Sequence, residues 1–185
     1  MRILAISGSL RRDSHNTRLL RAAAQMLPPG AELHPFDGLA DVPPYNEDAD
    51  VEPAPDGVAR LRAAIAEADA LLISTPEYNA SVPGVLKNAI DWASRPFPAN
   101  VLRDKPVAVI GASTGLFGAV WAQAELRKAL RHTGARILDD ELPVGTADQA
   151  FTPSGELVDP ELNRRLADLV EQLAREVRAP LEAVA

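Results

Sequence analysis

The chain contains no cysteine. Disulfides, thiolate metal sites and thiol catalysis are thereby excluded, so any redox chemistry must come from a bound cofactor. Histidine is nearly as scarce, and the scatter of His15, His34 and His132 argues against a structural zinc site. No apolar run approaches the ~18 residues that a membrane span needs. The strand-like run that begins at Ile3 carries neither a cationic leader region nor a cleavage site, so the chain is expected to work in the cytoplasm and off the membrane. Positive charge is in deficit too. Nineteen Lys and Arg against 26 Asp and Glu leave a net charge of −7, which disfavours nucleic acid as a partner because phosphate neutralisation needs a dense cationic surface.

What remains is ordinary globular composition, 46% apolar and 24% charged over 185 residues, the size expected of a single domain spanning 1–185. Apolar runs recur at Ile3 to Ile6, Leu33 to Phe36, Ala70 to Ile73, Val107 to Ile110, and Ile137 to Leu138 with a weaker continuation. Such nearly continuous runs fit strands buried on both faces. Between them lie stretches at helical spacing, such as Leu19, Leu20, Ala23 and Leu27, or Val58, Leu61, Ile65 and Ala68. The last is the clearest: Leu162, Leu166, Leu169, Val170, Leu173 and Val177 share one side and follow Asp159-Pro160, a good N-cap and N1 pair. Alternation of this kind predicts an α/β fold, with a five-stranded parallel sheet and helices on both faces. Segment 39–56, proline-rich and acidic without a period, reads as a long surface loop.

Open parallel sheets bind ligands beyond the carboxyl ends of their strands, and three loops fall there. The first, Ser7 to Thr17, offers hydroxyls at Ser9, Ser14 and Thr17, the Asn16 amide, the Arg11 guanidinium and the free N–H groups of a helix start. That set suits a phosphate, although the loop by itself reads equally as a capped polar turn. It matches neither G-x-G-x-x-G nor the Walker pattern, which favours a terminal monophosphate such as that of FMN over a pyrophosphate. The second loop, Ser74 to Gly84, is stiffened by Pro76 and Pro83. Its Tyr78 could lie against a ring, whereas Trp92 in the following helix reads as core. The third, Gly111 to Gly118, has three glycines and two hydroxyls that let backbone pass close to a ligand.

Jointly these loops resemble the NADPH-dependent FMN reductase family, the flavodoxin-like group that includes quinone, chromate and azo-dye reductases. The resemblance runs from GSLRRDSHN through PEYNASVPGVLKNAIDW to GASTGLFG and a closing GELVDPELNRRL, nearly the whole chain, and the middle motif is highly specific. It implies FMN phosphate held by Ser9, Leu10, Arg11, Ser14, His15 and Asn16, with Arg11, Ser14 and Asn16 as leading contacts. It further implies an isoalloxazine lined by Pro76, Glu77, Tyr78, Asn79 and Ser113. NADPH or NADH would donate electrons, a small molecule such as a quinone, flavin, chromate or azo compound would accept them, and the chain would form a homodimer or homotetramer. Two positions depart from the family pattern: Thr114 stands where many members have proline, and Trp121 where some have arginine. The alternatives are a flavodoxin-type electron carrier, disfavoured by Arg11 and the proline-bounded loop, and a flavin-binding sensor without turnover. Asp13 and Glu77 are the only carboxylates in these loops and form no evident acid–base pair, so no catalytic side chain is assigned.

Overall fold

Strands apolar on both faces leave none for water, and the two most apolar runs are accordingly buried along their whole length in β3 (Ala70–Thr75, polar only at its last two residues) and β4 (Pro106–Ala112). The computed structural model describes residues 1–179. In it, β1 (Arg2–Ser7), β2 (Glu32–Phe36) and β5 (Arg136–Val144) join these two in one sheet ordered β2-β1-β3-β4-β5, parallel throughout. The helices are α1 (His15–Ala24), α2 (Asp56–Glu67), α3 (Gly84–Ala93), α4 (Val120–His132) and α5 (Pro160–Arg178). Strand order reverses between β1 and β3, which makes the fold flavodoxin-like and puts the ligand crevice at the C-terminal ends of those strands.

Side chains alternate faces along each strand. Ile3, Ala5, Leu72, Ala108 and Ile110 pack under α1 and α5, against Leu19, Ala23, Leu166 and Leu173. Leu4, Ile6, Leu71, Ile73, Val107 and Val109 face α2, α3 and α4, against Val58, Leu61, Leu86 and Leu126. Asp159 caps α5, its carboxylate accepting from the Glu161 N–H at 2.8 Å. No helix among the described residues is long and apolar enough to cross a membrane.

The edges differ from the sequence expectation. Strand β5 runs on to Val144 because its pairing with β4 jumps from Val107 and Ile137 to Val109 and Glu141, a bulge that turns the acidic run Asp139-Asp140 away from the ladder. Segment 39–56 is a loop but not wholly a surface one. It holds short 3-10 turns at Gly38–Asp41 and Glu47–Ala49 and buries Leu39 and Val42. Asn88 and Trp92 fasten it: the Pro43 carbonyl accepts from Asn88 Nδ2 and from Trp92 Nε1, both at 2.8 Å. Trp92 is fully buried, a core residue as its place in the sequence indicated.

Gly57, in the first turn of α2, passes so close to this segment that an added Cβ would sit 2.2 Å from the Asp41 carbonyl oxygen. Gly84, at the start of α3, has nothing within 4 Å and no positive φ. Gly57→Ala is therefore expected to lose about 1–3 kcal/mol in urea denaturation, while Gly84→Ala stays neutral or gains up to ~1 kcal/mol.

Candidate functional site

Register aligns the exits of three strands. Ser7 of β1 pairs with Ser74 of β3, and Thr75 with Gly111 of β4, so the loops that follow leave the sheet side by side. The first begins with the Gly8 N–H donating to the Ser74 carbonyl at 2.8 Å. The Ser9 hydroxyl accepts from the Arg11 N–H at 3.4 Å. Ser14, nearly inaccessible, caps α1, its hydroxyl oxygen accepting from the N–H groups of Asn16 and Thr17 at 3.2 and 3.3 Å. The Ser14 proton is left free to donate. The N–H groups of Leu10, Arg12, Asp13, Ser14 and His15 make no backbone hydrogen bond among the described residues. They form a run of donors at the positive end of a helix, the chemistry that holds a phosphate.

Asn16 lines the cleft and is also bound to the sheet. Its Oδ1 accepts from the Ser74 hydroxyl at 2.8 Å and from the Ala112 N–H at 3.0 Å, while its Nδ2 donates to the Ala112 carbonyl at 3.0 Å. The amide is thus committed to the strand ends, with one Nδ2 proton left over. Thr17 likewise turns inward and donates to the Ser7 hydroxyl at 3.1 Å.

In the second loop Tyr78 and Ser81 exchange backbone hydrogen bonds at 3.1 Å across Asn79 and Ala80, whose φ values of 53° and 58° make a tight left-handed turn. Glu77 is tied down through one carboxylate oxygen. Its carboxylate accepts from the N–H groups of Trp121 and Ala122 at 3.0 and 3.1 Å, capping α4, whose own N-cap residue Ala119 has no side chain able to do so. The third loop lies flat on the end of β5 because Gly118, at φ +58°, would otherwise put a Cβ 2.5 Å from Pro143 and Val144. Ser113 fixes its start, donating from its N–H to the Val144 carbonyl at 3.0 Å and accepting at its hydroxyl from the Gly115 N–H at 3.1 Å.

The three loops enclose a cleft of about 120 Å³ lined by Ser9, Arg11, Ser14, His15, Asn16, Pro76, Glu77, Tyr78 and Ser113, nine of the eleven residues expected from sequence. Leu10 and Asn79 are exposed and do not line it, whereas Ala112 and Thr114, which were not expected to, do. A cleft this small cannot enclose a drug-sized ligand, which takes roughly 300 Å³ or more. Its donor run suits a phosphate, and the rest of a larger ligand must extend beyond it into the open. A larger cavity, about 960 Å³, lies between α3 and α4 among Lys87, Ile90, Asp91, Glu125 and His132, away from the donor run. Beside the cleft stand exposed Tyr78, Leu116, Phe117 and Trp121, the last two edge to face at 5.1 Å. Burial, then Arg11 and Arg18, hold the His15 imidazole below its ordinary pKa, with Asp148 opposing them. Among the described residues no group of acidic and histidine side chains could hold a metal.

Residues 1–149 match the family model described as NADPH-dependent FMN reductase. An NAD(P)H-dependent FMN reductase of Pseudomonas aeruginosa is 42% identical over 179 residues, 96% of each chain. A 2-hydroxy-1,4-benzoquinone reductase of Burkholderia sp. is 36% identical over 96% of this chain and 97% of its own. Among solved structures, the flavoenzyme NAD(P)H:(acceptor) oxidoreductase of Paracoccus denitrificans superposes with a TM-score of 0.83 at 36% identity, over 96% of this chain and 97% of that one.

If Asn16 is a clamp, removing it should harm the protein without any ligand present. Asn16→Ala is expected to lose roughly 2–4 kcal/mol of stability in flavin-free protein, since the buried Ser74 and Ala112 groups lose their partners. An unchanged denaturation midpoint together with weaker ligand binding would return Asn16 to the role of ligand contact.

Proposed function

This chain belongs to the NADPH-dependent FMN reductase family, and from that premise we propose that it is an FMN-containing oxidoreductase that carries electrons from NAD(P)H to small acceptors of the quinone class. The observation that carries the reading is the run of unpaired N–H donors around Ser14 at the mouth of the cleft. Relatives named as quinone reductases, at 36% identity over 86% of this chain in Escherichia coli, support the acceptor class.

In this reading the first loop holds the phosphate. Ser14 donates its free hydroxyl proton, Arg11 supplies the charge, and the backbone from Leu10 to His15 surrounds the oxygens. Pro76, Tyr78 and Ser113 line the ring edge, while Glu77 acts indirectly by holding that loop to α4. When bound, FMN supplies the two-electron chemistry. The chain's own part is to seat the cofactor and keep one side of the cleft open to two substrates in turn, because no second dinucleotide fingerprint occurs in the sequence. The exposed aromatic patch at Tyr78, Phe117 and Trp121, and the long cavity between α3 and α4, support a homodimer or homotetramer with its interface beside the cleft.

Cofactor released from purified protein should run as FMN on chromatography, and recovery of FAD would defeat the reading. Arg11→Ala should weaken FMN binding about ten- to a hundredfold, the worth of a charged hydrogen bond, with Arg12→Ala doing much less. Turnover measured over a grid of NAD(P)H and quinone concentrations should give parallel double-reciprocal lines. Intersecting lines would require both substrates to be bound together and would rule out the shared opening.

A further inference from the structure

Val144 of β5 pairs with Ala112 of β4, so the connection from β5 to α5 leaves the sheet at the same end as the three cleft loops. It is tied to the third of them, the Thr146 N–H donating to the Gly115 carbonyl at 3.1 Å and the Ala147 N–H to the Ser113 carbonyl at 3.0 Å. Further along it closes a short hairpin. Phe151 pairs with Leu157, and the Thr152 N–H donates to the Glu156 carbonyl at 2.8 Å past Gly155, whose φ is +93°. Both Phe151 and Leu157 are buried in the core cluster that holds Leu19 and Leu166, so the ring is fixed from behind. What that ring carries belongs to the first loop and its helix. The Arg18 guanidinium lies 4.7 Å from the ring centroid, and the His15 imidazole stacks on it at 6.5 Å, within 7° of parallel. His15 and Arg18 are neighbours on one face of α1.

Arg18 lines a groove of about 440 Å³ together with Arg11, Ser14 and His15, and those three also line the cleft. Among the described residues the Arg18 guanidinium is in no ion pair, so the Phe151 ring is what holds its charged end. An arginine gives up rotamer freedom when it grips an anion, and a guanidinium already seated on a ring has given up that freedom beforehand. The same ring restrains His15, the first residue of α1, whose N–H belongs to the donor run. We propose that Phe151 is a positioning residue for the phosphate: it sets Arg18 beside the first loop as a second cation next to Arg11. The inference rests on the flavin reading above and adds to it a residue, outside the three cleft loops, on which the grip on the phosphate depends. Because the loop that carries Phe151 is bonded at its other end to Ser113 and Gly115, it holds the phosphate half and the ring half of the cleft in one frame.

The test titrates full-length, flavin-free protein with FMN and with riboflavin, which lacks the phosphate, so that the ratio of the two affinities isolates the phosphate's share. Phe151→Leu is expected to weaken FMN binding about three- to thirtyfold, the range of a cation–π contact, and to leave riboflavin binding unchanged. Phe151→Tyr keeps the ring and should restore the ratio. Arg18→Ala should lose as much as Phe151→Leu, and the double variant no more than either. Equal losses of FMN and riboflavin in Phe151→Leu would overturn the proposal, because Phe151 would then support the whole fold and not the phosphate. Losses that add in the double variant would overturn it too, since Phe151 would not be acting through Arg18. If Phe151→Leu does not fold, Arg18→Ala decides alone, and an unchanged ratio of FMN to riboflavin affinity overturns the proposal. Wild-type protein that binds neither flavin would defeat the flavin reading instead. The positioning role is then read from inorganic phosphate, whose binding Arg18→Ala and Phe151→Leu should both weaken and whose unchanged binding would overturn it.

Discussion

The cleft depends on one buried amide. Asn16 sits in the first turn of α1, yet its three hydrogen bonds reach the ends of β3 and β4. Strand pairing aligns those ends but cannot set the distance of α1 from them, because helix and sheet meet through non-directional apolar contacts between Leu19, Ala23 and the strands. The amide supplies the missing directional constraint. In a low-dielectric surrounding such a satisfied network is stiff, and any break in it leaves polar groups stranded. Ser14 can therefore present its hydroxyl, and the neighbouring backbone its N–H groups, at fixed positions before any ligand arrives.

A second constraint of the same type acts on the other side. Glu77 belongs to the ring-edge loop but serves as the missing N-cap of α4. The loop thus moves only with the helix, and the helix borders both the exposed aromatic pair of Phe117 and Trp121 and the long cavity beside α3. A contact made on that outer surface is mechanically connected to the cleft through one carboxylate. Charge is divided in a related way. The chain is acidic as a whole, yet the corner formed by Arg11, Arg12, Arg18 and Arg21 is locally cationic, which concentrates anionic ligands where the donors are.

Sequence reading reached the central strands easily because β1, β3 and β4 must be apolar on both faces, a pattern that survives without knowledge of partners. It reached the site loops through their residue types and their place after strands. It did not reach the tasks of individual side chains. By type Asn16 suits a phosphate, and nothing local reveals that its amide also clamps a partner 96 residues away. Glu77 is similar, with its partners 44 and 45 residues on. Segment 39–56 looked like surface because its buried residues, Leu39 and Val42, pack on α2 and α3 without any period of their own. The continuation of β5 was faint because a bulge sets its acidic residues outside the alternation.

The interior position of β1 in the sheet has a consequence for the order in which the protein assembles. Synthesised before the other four strands of the sheet, it pairs with residues 32–36 on one side and residues 70–75 on the other, and each later strand adds at the outer edge. The three loops of the cleft are complete once β4 and the start of α4 have emerged. The face carrying Ile3, Ala5, Leu72 and Ile110 still lacks Leu166, Leu169, Val170 and Leu173 at that stage, because these belong to the last helix. A nascent chain thus has its binding loops before it has this apolar cover, which the nineteen-residue α5 supplies.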